Sequence, residues 1–368
     1  MLKILQATIS IALISTVLAG IISLAEKLLN NYGRCKIEIN DGARVLEVEG
    51  GSSLLAALSN QKIFIPSACG GKATCGLCKL RITEGAGPLL PTEEPYLSAQ
   101  ERAQDYRLSC QIKVKNDLRI YVAEELFNIK EYIAKVELIR DLTHDIKLLR
   151  LRLPEGESIK FKAGQFVQFY TKPYGKVKEE VFRAYSIASK PSDQNQIELM
   201  IRKVPDGIAT GYVHTALKEG DTVRLSGPYG DFYRRGGEGV KELIMLAGGS
   251  GMAPIASLIR DITEQQLDYK IRYFFGASTL RDMFYLEEMA ALEKENPNFE
   301  FIPALSRYQE GDDWDGRIGN VIEVMKQEVS DGEAKEAYLC GSPGMLNATV
   351  KALHELGFKD QAIFYDKF

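Results

Sequence analysis

Four of the six cysteines of this 368-residue chain fall in one pattern, and that pattern constrains the fold more than any other feature. Cys69, Cys75 and Cys78 are spaced C-x5-C-x2-C, and Cys110 follows further along the chain. Four cysteine thiolates are the usual ligands of a [2Fe–2S] cluster. Glycines between the first three cysteines let the backbone wrap closely and direct amide N–H groups at the sulfurs. The spacing therefore predicts a [2Fe–2S] site with these four metal ligands.

Two alternatives to an iron–sulfur cluster remain open from the residues alone. A structural zinc site usually contains two C-x2-C pairs, and only one is present here. The thiols could also be buried and free of metal. The first gap holds five residues, whereas the plant-type ferredoxin spacing is C-x4-C-x2-C. Cys35 and Cys340 lie outside the pattern and are not expected to be ligands. The chain has only three histidines, which argues against a histidine-based metal site.

The N-terminal segment is strongly apolar. Residues 4–25 carry no charge, and as a helix they span roughly 33 Å, which is enough to cross a bilayer. A signal peptide would have a shorter apolar core, and a buried core helix is the other alternative. Three basic residues follow the segment closely and only Lys3 precedes it. The positive-inside rule then predicts that residues 1–30 form a single-pass anchor in the inner (cytoplasmic) membrane, with the rest of the chain facing the cytoplasm.

Three further regions follow this segment. Residues 34–123 open with a predicted hairpin and a short helix, which is typical of an α+β, ferredoxin-like domain. Residues 133–236 contain short strands separated by turns, which predicts an antiparallel β-barrel. Residues 240–368 alternate strand and helix, which predicts a doubly wound α/β domain. The net charge of −4 and the absence of a basic run argue against a nucleic-acid partner.

The sequence Arg183-Ala184-Tyr185-Ser186 in the barrel region is a candidate FAD-binding motif. The planar guanidinium of Arg183 can bind a pyrophosphate, the ring of Tyr185 can stack on a flavin, and the hydroxyl of Ser186 can lie near flavin N5. Gly207 and Thr210 open a predicted helix whose N-terminus can bind the same pyrophosphate. The alternative is an ordinary edge strand with a surface arginine and a core tyrosine.

A glycine-rich turn follows the first predicted strand of the α/β region. Gly248, Gly249, Gly251 and Pro254 lie in the sequence G-G-S-G-M-A-P, just before a predicted helix. Such glycines allow a tight turn and a close approach of phosphates to the helix N-terminus, and proline suits an early helix position. The pattern is not a full G-x-G-x-x-G motif, and a plain strand–turn–helix connection is the alternative. We expect NADH to bind here.

The last strands of the chain add two candidates. Cys340 and Gly341 follow a predicted strand, at the carboxyl edge where open α/β sheets bind ligands. Cys340 is therefore expected to contact the nicotinamide, or else to be a buried structural thiol. The terminal Phe368 is expected to cover a flavin face, or to belong to a strand that docks on the sheet. Arg281 could meet the 2′-phosphate of NADPH, but no cluster of basic residues supports it. NADH is therefore favoured over NADPH as the donor.

Taken in order, these motifs resemble the F subunits of the sodium-translocating NADH:quinone oxidoreductases over nearly the whole chain. The sequences at 107–111, 226–230 and 314–316 add to the resemblance. The resemblance implies bound FAD, one [2Fe–2S] cluster and NADH as electron donor. It also implies electron transfer to a one-electron acceptor among other membrane redox subunits, with membrane attachment by the N-terminal helix. Ser186 and Cys340 would lie where hydride is transferred.

Two loops, at 170–182 and 200–207, are shorter than we expect for members of that family. A stand-alone relative that serves another acceptor is therefore an alternative. Two other functions compete with this one. The chain could be the soluble reductase component of a multicomponent oxygenase, or a membrane-tethered electron carrier that does not turn over NADH.

Overall fold

The computed structural model describes residues 2–29 and 32–367. The chain divides into two compact units, residues 1–128 and 129–368.

The first unit begins with helix α1 (Leu2–Leu29). Across the described ranges, no helix combines the length and the apolarity that crossing a membrane requires. The membrane anchor predicted for residues 1–30 is therefore not confirmed.

The rest of the first unit is a small α+β domain with one five-stranded sheet. Its elements are β1 (Arg34–Ile39), β2 (Arg44–Glu49), α2 (Leu54–Asn60), β3 (Lys79–Glu84), α3 (Ala99–Ala103), β4 (Tyr106–Leu108) and β5 (Leu118–Tyr121). The strand order is β2-β1-β5-β3-β4, and β1 pairs with β5 in parallel. The predicted hairpin and short helix are both present.

Local sequence explains these elements. The β1–β2 turn places Asn40 and Asp41 at positive φ, a conformation that these residue types tolerate well. Helix α2 starts after Ser53, whose hydroxyl accepts a hydrogen bond from the Ala56 amide at 3.2 Å. Ile37 on the sheet and Leu58 on α2 are both fully buried. The core therefore lies between the sheet and this helix, and the cysteine loop follows directly after α2.

The second unit begins with a β-barrel. Its elements are β6 (Lys130–Asp141), β7 (Ile146–Arg152), β8 (Phe166–Tyr170), β9 (Phe182–Ser186), β10 (Gln196–Arg202), α4 (Ile208–Thr215) and β11 (Thr222–Tyr229). The strand order is β10-β7-β6-β11-β8-β9, all antiparallel. A bridge between Ile187 and Leu199 joins the two edge strands, so the sheet closes as predicted. Strand β9 carries the flavin motif.

The remainder of the second unit is a doubly wound α/β domain. Its elements are β12 (Glu242–Gly248), α5 (Met252–Glu264), β13 (Lys270–Ala277), α6 (Leu286–Glu295), β14 (Phe299–Leu305), β15 (Arg317–Ile318), α7 (Val321–Glu328), β16 (Lys335–Gly341), α8 (Pro343–Glu355) and β17 (Ile363–Lys367). The order β15-β14-β13-β12-β16-β17 is parallel throughout. One apolar core contains residues of α5, and a separate core contains residues of α7 and α8. The predicted doubly wound α/β architecture is therefore confirmed.

Helix α5 packs directly against the barrel. The Ser257 hydroxyl donates to the Ser189 carbonyl at 2.6 Å, and Nη1 of Arg260 donates to the Ala188 carbonyl at 2.7 Å. One apolar core also includes barrel residues and α5 residues. These contacts hold the glycine-rich turn that precedes α5 next to the carboxyl end of β10.

Candidate functional site

The loop before β3 brings the predicted ligand cysteines into two pairs. The sulfurs of Cys69 and Cys75 lie 3.4 Å apart, and Cys78 forms a hydrogen bond with Cys110. Gly70, Gly71, Ala73 and Gly76 all have positive φ, so the backbone curls tightly around the sulfurs. The amide of Lys72 donates to the Cys69 sulfur at 3.2 Å. The loop therefore surrounds the thiols with backbone donors, as the sequence predicted.

The two pairs match the ligand set of a binuclear cluster. A [2Fe–2S] cluster takes two ligands on each of two irons, and each pair here supplies two sulfurs. Among the described residues, no group of three or more Cys, His, Asp or Glu side chains is placed to hold a metal ion. The hydrogen bond from Cys75 lowers the pKa of Cys69, and that from Cys78 lowers the pKa of Cys110. One sulfur of each pair is thus biased toward the thiolate that ligates iron.

A buried hydroxyl beside these thiols has no partner within the described residues. Ser109 is fully buried, and its Oγ makes no hydrogen bond there. Its backbone is satisfied, since the amide donates to the Cys78 carbonyl at 2.9 Å and the carbonyl accepts from Leu55. The pKa of Cys78 is raised by its hydrogen bond with Cys110 and by burial. A metal-bound sulfur would be a suitable acceptor for this orphaned donor.

A buried ion pair holds the segment that carries Cys110. Glu93 is fully buried and Arg107 is nearly so. Nη2 of Arg107 lies 2.6 Å from the Glu93 carboxylate, and the arginine also donates to the carbonyls of Gly87 and Pro88. The same carboxylate accepts from the amide of Leu108 at 2.9 Å. Arg107 lies in a sequence that carried the family resemblance, but its pairing with Glu93 was not predicted.

The flavin motif lies on β9, opposite β8 in the barrel. Nη1 of Arg183 donates to the Phe182 carbonyl at 2.6 Å. The hydroxyl of Tyr185 is buried without a hydrogen-bond partner in the described chain, and burial raises its pKa. An arginine near the surface and an orphaned tyrosine hydroxyl on one strand fit a bound FAD. Gly207 precedes α4, and a Cβ there would lie 2.4 Å from Oγ1 of Thr210. The Thr210 hydroxyl is already engaged with this loop, so the loop's backbone amides remain its candidate phosphate donors.

The carboxyl edge of the α/β sheet meets the flavin motif. Oγ of Ser186 lies 3.5 Å from Oδ2 of Asp366 on β17, and Asp366 is the register partner of Cys340 on β16. Cys340 is fully buried, and burial together with Asp366 raises the pKa of its thiol. The two predicted catalytic residues are thus brought together through Asp366. The sequence reasoning missed this aspartate, although it lies in the terminal segment that was noted for its aromatic residues.

The glycine-rich turn adopts the predicted strand–turn–helix layout. Gly248 ends β12, a single 3-10 turn follows, and Pro254 lies in the first turn of α5. A Cβ on Gly251 would come within 2.3 Å of the Cys340 carbonyl oxygen, so only glycine allows this close approach of turn and strand. Gly341 ends β16 beside the same turn. Phe368 lies outside the described residues.

Three family models match the chain in succession. They are a 2Fe-2S iron-sulfur cluster binding domain at residues 37–115, an oxidoreductase FAD-binding domain at 134–233 and an oxidoreductase NAD-binding domain at 245–351.

Curated relatives match over the full length. The F subunit of the Na(+)-translocating NADH-quinone reductase of Histophilus somni is 36% identical over 408 residues, covering 99% of this chain and 100% of the relative. That of Klebsiella pneumoniae is also 36% identical, with full coverage of both chains. The aligned length exceeds the 368 residues here, so the relatives contain insertions that this chain lacks.

Solved structures match most of the chain. The Amycolatopsis cytochrome P450 reductase GcoB superposes with a TM-score of 0.72 at 28% identity, covering 91% of this chain and 98% of that one. A ferredoxin reductase in carbazole 1,9a-dioxygenase gives a TM-score of 0.70 at 27% identity with the same coverage.

Proposed function

This chain belongs to the family of the F subunits of the Na(+)-translocating NADH-quinone reductases, and we propose that its ligand sites form one electron path from NADH to a membrane redox partner. The chain is an NADH-dependent oxidoreductase with domains for FAD, NADH and a [2Fe–2S] cluster. When bound, these groups supply the conversion of a two-electron hydride into single electrons.

The meeting of β9 with β17 carries this proposal. Hydride transfer requires donor and acceptor atoms to be held in contact, and Ser186 of the flavin motif faces Asp366 next to Cys340 of the nicotinamide edge. Arg183 and the Tyr185 hydroxyl would hold FAD against the barrel. The glycine-rich turn and the N-terminus of α5 would hold the phosphates of NADH.

Protonation at this edge favours binding over acid–base chemistry. Because the pKa of Cys340 is raised by burial and by Asp366, its thiol stays neutral and would take no part in acid–base chemistry. The Ser186 hydroxyl can donate a hydrogen bond either to Asp366 or to a flavin. Hydride transfer needs no proton donor, so these residues would orient the two rings and exclude water.

The first experiment separates the flavin step from the onward step. Replacing Cys75 with alanine removes one sulfur of the Cys69–Cys75 pair, whereas Cys35→Ala removes a thiol outside the cluster and serves as control. In the Cys75 variant, NADH should still bleach the flavin absorbance, but reduction of a one-electron acceptor such as cytochrome c should be lost. Equal loss of both steps would contradict the proposed order, and a chain whose flavin is not bleached would be a carrier only.

We also propose that α1 attaches the chain to a membrane that holds the acceptor, with the two compact units facing the cytoplasm. The uncharged run at 4–25 and exposed apolar side chains such as Ile11, Leu13 and Ile14 support this attachment. The full chain should sediment with inner membranes after a high-salt wash, and a variant lacking residues 2–29 should not. Release of the full chain at low salt would exclude the attachment.

A second candidate function is the reductase component of an oxygenase. The likeness to GcoB and to the carbazole dioxygenase reductase covers 91% of this chain, and the insertions of the curated relatives are absent here. Purification from native membranes decides between the two, since co-purification of quinone-reducing subunits supports the first function and that of an oxygenase supports the second.

A further inference from the structure

An arginine of the barrel lies over the glycine-rich turn of the α/β domain. Arg202 ends β10, and its Nη1 is 3.2 Å from the position that a Cβ on Gly249 would occupy. Gly249 has a φ of +56°, so this position favours glycine for its backbone conformation as well as for the space above it. The side chain of Arg202 is 54% exposed. Its guanidinium is therefore accessible to a ligand that enters between the barrel and the turn.

Arg202 is held in this place by a network on the barrel. Its Nε donates to Oδ2 of Asp145 at 2.7 Å. The other oxygen of Asp145 accepts from the Thr143 hydroxyl at 2.9 Å, and its carbonyl accepts from the amide of Lys203 at 2.7 Å. The ion pair uses the Nε edge of the guanidinium. In the part of the chain that the structure describes, Nη1 is the nitrogen that faces the turn, and it can donate to another acceptor.

The charges on the two sides of the turn have the same sign. Helix α5 has 13 residues, and its N-terminus carries the positive end of the helix dipole. A cation placed beside a helix N-terminus is unfavourable, because it is repelled by this end of the dipole. An anion between the guanidinium and the helix would reverse the sign of both interactions, because it is attracted to each.

We propose that Arg202, aligned by Asp145, binds the pyrophosphate of NADH from the barrel side while the N-terminus of α5 binds it from the other side. This inference rests on the proposed function, because NADH is the anionic ligand which that function brings to the turn. Arg202 is a binding residue and Asp145 is a positioning residue. The dinucleotide then spans the barrel and the α/β domain, and its phosphates help to place the nicotinamide at Cys340.

The test uses the full-length holoprotein and three variants, Arg202→Gln, Arg202→Lys and Asp145→Asn. Arg152→Gln is the matched control, since Arg152 lies on the same barrel, is 44% exposed and has its Nε 2.7 Å from Glu137. Calorimetry gives the dissociation constant of ADP-ribose, which contains the pyrophosphate but cannot donate hydride. Steady-state assays with ferricyanide give KM and kcat for NADH.

A hydrogen bond to a charged group contributes about 1.5–3 kcal/mol, so Arg202→Gln should weaken ADP-ribose binding roughly tenfold or more. The KM for NADH should rise in parallel, while kcat and the FAD content stay near those of the control. Arg202→Lys keeps the charge without the fork and should fall between these values. Asp145→Asn should weaken binding less than Arg202→Gln does. Binding by the Arg202 variant should also depend less on salt, because one phosphate contact is missing.

Each failure has its own signature. If Arg202→Gln and Arg152→Gln bind ADP-ribose with equal affinity, and NADH still bleaches the flavin of the Arg202 variant, this inference is overturned. The proposed function is then unaffected. If NADH does not bleach the flavin of the wild-type chain, the proposed function itself is overturned. If Arg202→Gln does not fold, Arg202→Lys and Asp145→Asn decide, and unchanged ADP-ribose affinity in both rejects the role of Arg202.

Discussion

Replacing Glu93 with glutamine leaves the guanidinium of Arg107 buried without a counter-charge. The two side chains are 0% and 8% exposed, so water cannot solvate the remaining cation. Breaking a buried pair by removing one partner costs about 3–5 kcal/mol. Domains are stable by about 5–15 kcal/mol in total, so this loss is a large fraction of the free energy of unfolding. The Glu93→Gln variant should therefore unfold its ferredoxin-like domain far more readily than the wild type.

Urea unfolding of the full-length holoprotein, followed by the visible circular dichroism of the iron–sulfur cluster, measures this loss. With a denaturant slope of about 1–3 kcal/mol per molar urea, a loss of 3 kcal/mol lowers the midpoint by about 1–3 M. The cluster signal reports on this region, because the backbone amide of Leu108 donates a hydrogen bond to Glu93 and that of the neighbouring Ser109 donates one to the Cys78 carbonyl. NADH should still bleach the flavin of the folded variant.

Glu101→Gln is the matched control for this measurement. Glu101 pairs with Lys79 at 2.6 Å, but the two side chains are 29% and 31% exposed, and an exposed pair contributes about 1 kcal/mol or less. The side-chain oxygen of the introduced glutamine can still accept the capping hydrogen bond from the backbone amide of Ser98. The double variant Glu93→Leu with Arg107→Met should recover much of the loss, since no charge remains buried. A midpoint for Glu93→Gln equal to that of Glu101→Gln would refute the reasoning.

Three further predictions concern polar groups that are buried or half-buried. Ser109→Ala should make the cluster's reduction potential more negative by tens of millivolts, because one hydrogen bond contributes about 1 kcal/mol and about 59 mV equals a factor of ten; an unchanged potential in an EPR-monitored titration would disprove the contact. The Tyr273 hydroxyl is fully buried with no hydrogen-bond partner within the described residues, so Tyr273→Phe should hold or raise the melting temperature, and a clear fall would reveal an unseen partner. Burial lowers the pKa of His214, so the unfolded chain binds its proton first. The contribution of neutral His214 to the free energy of unfolding is complete at neutral pH and falls as the pH drops below about 6.5. The melting temperature of His214→Gln should therefore fall less than that of the wild type between pH 7 and 5, and an identical fall in both proteins would exclude this effect.

The fold was largely accessible to sequence reasoning, because its signals are local. The alternation of strand and helix after residue 240 predicted the α/β domain, and the structure has the helices α5 to α8 there. The first hairpin and the short helix α2 could be predicted for the same reason. Strand β9 was expected only as the alternative to a flavin motif. Four of its five residues are half-buried, so it shows no alternation of buried and exposed positions. Barrel closure requires Ile187 to meet Leu199, which no local pattern encodes.

The identity and order of the three ligand sites could be predicted from the sequence alone, because each motif consists mainly of residues that are close together in the chain. Only the tertiary structure decided which groups meet: the two cysteine pairs, Ser186 with Asp366 across 180 positions, and Arg202 with Asp145 across 57. Contacts between distant segments depend on strand order and on packing between domains, and these arise from burial of the whole apolar surface rather than from any neighbouring residue.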